Sequence, residues 1–227
     1  MLETSAAPSL AEHLAAEKPD LHELTTFVMR QPELVPSLFD TIESPPSARA
    51  KFAAAKLLQV LSEKSPETLY PYFDSLVALL VNDNSIVRWN GILALGNPGG
   101  VDTGKKVDRI LEQYLVPVAG PQMIDAANTI RGATAIALAK PYLADRIARA
   151  IRTVERADYQ KQECRNVALG HAILALQKIF AILHDQRAAE LFVRRQQRNP
   201  RNATRAKARQ FAKEWPTRRG SAPALVD

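Results

Sequence analysis

The stretch "NDNSIVRWNGILALGN", residues 82–97, begins as a polar turn and continues as an apolar helix. Arg88 and Trp89 stand at the entrance of that helix, directly after the turn. An arginine has five N–H donors, enough to serve several turn carbonyls and a carboxylate at once. We therefore predict that Arg88 holds a turn between two helices, and that this joint recurs along the chain.

The whole chain has the pattern of an all-helical protein. Apolar residues recur at three- and four-residue spacing almost everywhere, and alternating strand-like runs are scarce. Prolines separate the periodic segments, as suits a residue tolerated in the first turn of a helix. The predicted helices span 9–17, 20–30, 32–43, 47–62, 66–81, 85–96, 103–118, 122–139, 142–156, 159–184 and 186–197, with a weaker one at 203–214.

Four helix entrances resemble one another. Each has a basic residue followed by an alanine-rich apolar helix, at Lys51, Arg88, Arg131 and Arg165, so the spacings are 37, 43 and 34 residues. A first helix precedes each of them. A period of roughly 35 to 45 residues built of two helices is typical of an α-solenoid, in which no unit buries its apolar face alone.

The joint at 66–97 resembles the HEAT-repeat family, with an Asp followed shortly by Val-Arg and then by a small-residue helix ending in Leu-Gly. The resemblance implies a right-handed α-α superhelix of about five to six helical pairs over residues 1–197. It also implies a structural ladder of hydrogen bonds between repeats, made by Asp83, Arg88, Arg131 and Arg165. Trp89 beside this ladder has two interpretations, packing between repeats or an exposed aromatic on the concave face.

The charge is unevenly distributed. Between Arg187 and Arg219 there are eleven Lys or Arg and two acids, a net charge of +9, whereas the whole chain carries +6. The rest of the chain is therefore at −3, and residues 198–227 are interpreted as a basic, weakly ordered arm. Its alternatives are phosphate contact with nucleic acid, a solvated tail, or a polar cap on the last repeat. The candidate nucleic-acid contacts are Arg194, Arg195, Arg198, Arg201, Arg205, Lys207 and Arg209.

No motif in the chain calls for catalysis, a cofactor or a metal ion. "GGVDTGKK", residues 99–106, approaches a phosphate-binding loop but has Lys106 where a hydroxyl must ligate Mg²⁺. We interpret it as a connection in which Asp102 or Thr103 caps the next helix. The four histidines lack metal-ligand spacing, and the single cysteine, Cys164, fits a reducing compartment.

The predicted function is a non-enzymatic scaffold that binds a protein partner and requires no cofactor. The chain starts without a signal-peptide pattern and its apolar runs are too short to span a bilayer, so a cytoplasmic protein without membrane contact is expected. The alternative is a nucleic-acid-binding protein that uses the basic arm. A narrower variant rests on a loose similarity to HEAT-like alkylpurine-DNA glycosylases. The resemblance implies a concave surface that offers an aromatic side chain and a carboxylate, which would be Trp89 and Asp125.

Overall fold

A computed structural model describes residues 9–215, and this part of the chain is helical with no strand. None of its helices is long and apolar enough to cross a membrane. Short 3₁₀ turns begin or end many of the α-helices. The α-helices are α1 (Leu10–Ala15), α2 (Leu21–Arg30), α3 (Val35–Glu43), α4 (Ala48–Lys64), α5 (Pro66–Leu69), α6 (Phe73–Ala78), α7 (Ser85–Gly96), α8 (Lys106–Leu115), α9 (Met123–Ala139), α10 (Ala144–Arg152), α11 (Gln162–Ile179), α12 (Gln186–Gln196) and α13 (Asn202–Glu214).

Side-chain caps and prolines define the helix starts. The Asn84 side-chain oxygen accepts the backbone N–H groups of Ile86 and Val87 at 3.0 and 3.2 Å, so α7 begins where the polar turn ends. The segment predicted as one helix over 66–81 is divided into α5, a 3₁₀ turn at Tyr70–Tyr72, α6 and a second 3₁₀ turn. Pro71 lies in the first of these turns, and its missing N–H cannot continue the α-helical pattern.

The chain divides into two compact units, and the division falls between Tyr114 and Leu115. In the first unit the long helix α4 packs against α3 on one side and α7 on the other, and α1 and α2 also contact it. The amide of Asn97 donates to the Ser62 hydroxyl at 2.9 Å, which joins the ends of α4 and α7. Tyr114 at the end of α8 is buried and donates to the Ile92 carbonyl at 2.7 Å.

The glycine-rich connection after α7 is a helix cap, as expected. The buried Asp102 accepts the backbone N–H of Lys106 at 2.7 Å and that of Val107 at 3.0 Å. The Tyr70 hydroxyl donates to the same carboxylate at 2.7 Å. The prediction that Asp102 or Thr103 caps the next helix is therefore confirmed for Asp102.

In the second unit α11 is the central helix. It packs against α9 on one side and α13 on the other, with α10 and α12 also in contact with it. The buried residues of α11 are mostly small or aliphatic, including Ala168, Gly170, Ala172 and Ala175, so neighbouring helices approach closely. A Cβ atom at Gly170 would lie 3.0 Å from the Thr204 hydroxyl of α13.

The expected basic arm, residues 198–227, is described as far as Trp215, and the remainder lies outside the described residues. The weaker helix expected at 203–214 is present as α13, Asn202–Glu214. It belongs to the second unit, where it buries Thr204, Ala208 and Phe211. The described part of the arm is therefore a packed helix.

We expect Gly91→Ala to destabilise the first unit. An added Cβ would lie 2.5 Å from the Leu79 Cβ, closer than carbon atoms approach, so α7 would have to shift. The strain of about 1–3 kcal/mol should exceed the gain of up to about 1 kcal/mol that alanine brings to a helix. Urea unfolding measures the difference. Gly100→Ala is the control because a Cβ there meets nothing within 4 Å, and equal stabilities of the two variants would contradict the packing.

Candidate nucleic-acid interface

The sequence of α12 separates an apolar face from a cationic one. Its buried residues, Ala189, Phe192, Val193 and Gln196, recur at three- and four-residue spacing. Leu191, Arg194 and Arg198 therefore lie on the outward side of α12 and the turn that follows it, and all three are exposed. Burial of the apolar face leaves the two arginines facing solvent.

A groove of about 800 Å³ runs along α12 and α13. Arginines dominate its walls, and one of them, Arg209, comes from α13. Leu191 and Gln197 are its other lining residues. No carboxylate of residues 9–215 lines this groove, so its described walls attract anions. The lining arginines are Arg194, Arg195, Arg198 and Arg209.

Three of these arginines have no ion-pair partner among residues 9–215, namely Arg194, Arg198 and Arg209. Each is exposed. Guanidinium groups without a carboxylate can still form bidentate hydrogen bonds to phosphate oxygens. These are the cations of the groove that the structure leaves available to a ligand.

Arg195 and Arg201 are instead paired with carboxylates of their own unit. Arg195 forms a two-pronged pair with Glu155, at 2.9 Å from Nε and 2.7 Å from Nη2. The hydrogen bonds to Glu155 raise the pKa of the Arg195 guanidinium above its ordinary value. Arg201 pairs with Glu163 through Nη1 and thereby connects the start of α13 to the start of α11.

Arg205 holds a turn in the way predicted for Arg88. Its Nη1 donates to the carbonyl of Asn199 at 2.6 Å and to that of Pro200 at 3.2 Å, six and five residues earlier. Arg88 donates from Nη1 to the carbonyls of Asn82 and Asp83, at 2.6 and 3.5 Å and at the same sequence separations. Arg205 follows Arg165 by 40 residues, within the range of the earlier spacings. The six-residue step from Asn199 to Arg205, which repeats the step from Asn82 to Arg88, is the signal that distinguishes Arg205 from its cationic neighbours.

The other members of the expected ladder differ from one another. Asp83 takes part through its main-chain carbonyl, while the side chain that caps α7 belongs to Asn84. Arg165 donates from Nε to the Ala157 carbonyl at 3.0 Å, across a longer loop. Arg131 is exposed and lines a pocket of about 210 Å³ beside α9 and α11. The turn-holding contact is thus seen for Arg88 and Arg165.

Lys207 lies over α11, and the groove of α12 and α13 does not include it. Its Nζ would be 3.3 Å from a Cβ atom at Gly170. Burial, and then the charge of Arg201, lower the pKa of Lys207. Burial also lowers the pKa of His171, with a further contribution from the Lys207 charge, so this imidazole is neutral at pH 7.

Trp89 and Asp125 lie in different units. Trp89 is half-buried on α7, and Asp125 is buried in the first turn of α9. Over residues 9–215 no group of three or more His, Cys, Asp or Glu side chains has a geometry suited to a metal ion. Cys164 is a free, half-buried thiol.

A smaller pocket of about 190 Å³ lies beside the groove and has an aromatic wall. Phe211 and Trp215 of this wall stand against Phe180, with ring centroids 5.1 and 4.7 Å from it. Neither the aromatic wall nor the pocket was predicted, because Phe180 and Trp215 are 35 residues apart in the sequence. The lining residues are Arg187, Glu190, Leu191, Arg194, Gln197, Phe211 and Trp215.

Fold and site together define an all-helical protein with a cationic groove beside an aromatic pocket. Comparisons with protein-family models, with curated proteins and with solved structures give no match to this chain.

We expect Arg205→Ala and Arg209→Ala to differ in stability. Loss of Arg205 leaves two partly exposed turn carbonyls without their charged donor, and an acceptor left unsatisfied costs about 1–3 kcal/mol when buried. The free energy of unfolding should therefore fall by about 1–3 kcal/mol for Arg205→Ala. For Arg209→Ala the free energy of unfolding should stay within about 0.5 kcal/mol of that of the unaltered protein, because Arg209 is exposed. Urea unfolding of both variants measures this contrast, and a stable Arg205→Ala protein would exclude the turn-holding role.

Proposed function

We propose that this chain is a binding module that holds nucleic acid by its phosphates in the groove of α12 and α13. The observation that carries the proposal is the set of three exposed arginines, Arg194, Arg198 and Arg209, in one groove whose lining within the described chain contains no carboxylate. Phosphate contacts of this kind give affinity that falls with salt and depends little on sequence.

The spacing of the arginines supports an extended ligand. Arg194 and Arg198 are four residues apart, which corresponds to about 6 Å along a helix, and Arg209 adds a cation from α13. A groove of about 800 Å³ with charges along it suits a chain of phosphates better than a single small anion. The contacts to Glu155 and Glu163 keep the surrounding arginines in fixed positions.

We also propose a HEAT-like solenoid as the architecture that presents this groove. Its support is the side-by-side packing of successive second helices, α4 with α7 in the first unit and α9, α11 and α13 in the second. The arginine-held turns before α7 and α13 add a repeated local contact. In such a design each helical pair needs its neighbour to bury its apolar face.

A second candidate function is the non-enzymatic scaffold for a protein partner, and one feature of the first unit favours it. A groove of about 430 Å³ beside α1 and α2 includes Leu24 and Phe27, and Phe27 is 41% exposed. Met29 on the same helix is 39% exposed. Exposed large apolar side chains beside a groove are typical of protein interaction sites.

If this groove binds a protein partner, Phe27→Asp should remove a partner that co-purifies with the unaltered protein. The same variant should keep the affinity for nucleic acid.

The test of nucleic-acid binding is a triple variant, Arg194→Gln with Arg198→Gln and Arg209→Gln. We expect its affinity for a fluorescent oligonucleotide at about 50 mM salt to fall roughly 10- to 100-fold, because three phosphate contacts are lost. Fluorescence anisotropy measures the affinity. Substitution is preferable to deleting the arm, since deletion would uncover the face of α11 on which α13 packs.

The matched control removes the same charge elsewhere, by Arg30→Gln, Arg49→Gln and Arg109→Gln. These three residues are exposed in the first unit. Retained affinity in the control places the binding in the groove and excludes an effect of net charge alone. Equal losses in both variants, or no binding by the unaltered protein, would refute the proposed site.

A further inference from the structure

The residues that line the pocket beside the groove differ in charge from those that line the groove, which indicates that the two bind different parts of one ligand. It contains a carboxylate, Glu190, whereas no carboxylate lines the groove. Glu190 pairs with Arg187 at 3.9 Å and offsets part of the positive charge of Arg187 and Arg194, so this pocket attracts phosphate less than the groove does. The pocket therefore suits a neutral group of the same ligand.

The volume and the walls of the pocket suit a single aromatic base. Its volume of about 190 Å³ corresponds to roughly six water molecules, the scale of a single nucleobase. Leu191 and Trp215 supply apolar surface, and Phe211 closes the floor because it is buried. Base–aromatic stacking is the usual source of affinity in proteins that bind single strands.

The indole of Trp215 is held in place before any ligand arrives. Its ring stands 4.7 Å from that of Phe180, which also makes an edge contact with Phe211. Phe180 and Phe211 are buried, so this aromatic cluster fixes the last turn of α13 against the end of α11. A preformed stacking surface lowers the entropy cost of binding.

Polar groups at the pocket offer hydrogen bonds to the edge of a base. Gln197 has an amide with both donors and an acceptor, and the Glu190 carboxylate can accept from a ring N–H, as in thymine, or from an exocyclic amino group. Arg194 lines both the pocket and the groove. One arginine is thus placed to contact the phosphate next to a base that enters the pocket.

We propose that the ligand of the groove is single-stranded nucleic acid and that one unpaired base enters the pocket of Leu191, Phe211 and Trp215. This rests on the proposed function, because the phosphates of the same strand occupy the groove. A duplex keeps its bases paired and stacked inside. Moving one of them into the pocket costs the free energy of unpairing, which an unpaired base of a single strand does not require. The protein therefore discriminates single strands from duplexes through Trp215.

The experiment uses Trp89→Phe as the background, which leaves Trp215 as the only tryptophan of the full chain. Its fluorescence is followed during titration with a single-stranded oligothymidylate, with an abasic oligomer of equal charge, and with a duplex of equal length. We expect quenching by the single strand only, and an affinity for it about tenfold above that for the abasic oligomer.

A second set of measurements keeps the inference falsifiable. Trp215→Ala should bring the affinities for the oligothymidylate and the abasic oligomer to the same value, whereas Trp215→Phe should retain most of the difference. If the unaltered protein binds abasic, single-stranded and duplex ligands equally, without quenching, the base pocket is refuted while phosphate binding in the groove stands. If none of the three ligands binds, the proposed function itself fails.

Discussion

The packing of α13 against α11 is the interaction on which the rest of the second unit depends. Thr204, Ala208 and Phe211 of α13 are buried, and Gly170 of α11 leaves room for the Thr204 hydroxyl and the Lys207 side chain. The Thr204 hydroxyl donates to the Asn166 carbonyl at 2.7 Å. A segment with a strongly basic composition is therefore held as a helix, and its orientation is determined by an apolar and hydrogen-bonded contact.

The packing of the second unit gives different roles to the cations of α12, of α13 and of the turn between them. Arg201 and Arg205 lie at the start of α13. Arg201 pairs with the Glu163 carboxylate, and Arg205 donates to turn carbonyls. Glu155 neutralises Arg195, although that residue stands at the edge of the groove. Among the cations that line the groove, Arg194, Arg198 and Arg209 have no ion-pair partner within residues 9–215. Internal pairing thus uses some of the positive charges of this segment, and the unpaired arginines line one groove of defined geometry.

Much of the fold was predictable because local chemistry determines where these helices begin. The segment predicted at 85–96 is α7, Ser85–Gly96, since the Asn84 cap and the apolar run lie within one stretch of sequence. The division of 66–81 was missed because Pro71 permits a 3₁₀ turn without ending the helical segment.

The roles of individual arginines were less accessible from the sequence. The partners of Arg195 and Arg201 are 40 and 38 residues away, and a charge run does not reveal which of its members face a carboxylate. The same holds for the pocket, because the rings that line it, Phe211 and Trp215, are held by Phe180 at the end of α11. Arg205 is the exception, because its turn repeats the spacing of Asn82 and Arg88 in Asn199 and Arg205.

The most direct test of this account is the salt dependence of binding of the unaltered protein to a single-stranded oligonucleotide. About three to four arginines at the groove should give a slope of roughly −2 to −3 in a plot of log K against log salt concentration. A slope near −8, from about 0.7 per phosphate for the eleven cations between Arg187 and Arg219, would mean that this whole segment acts as a loose polycation. That result would contradict the internal pairing and the groove together.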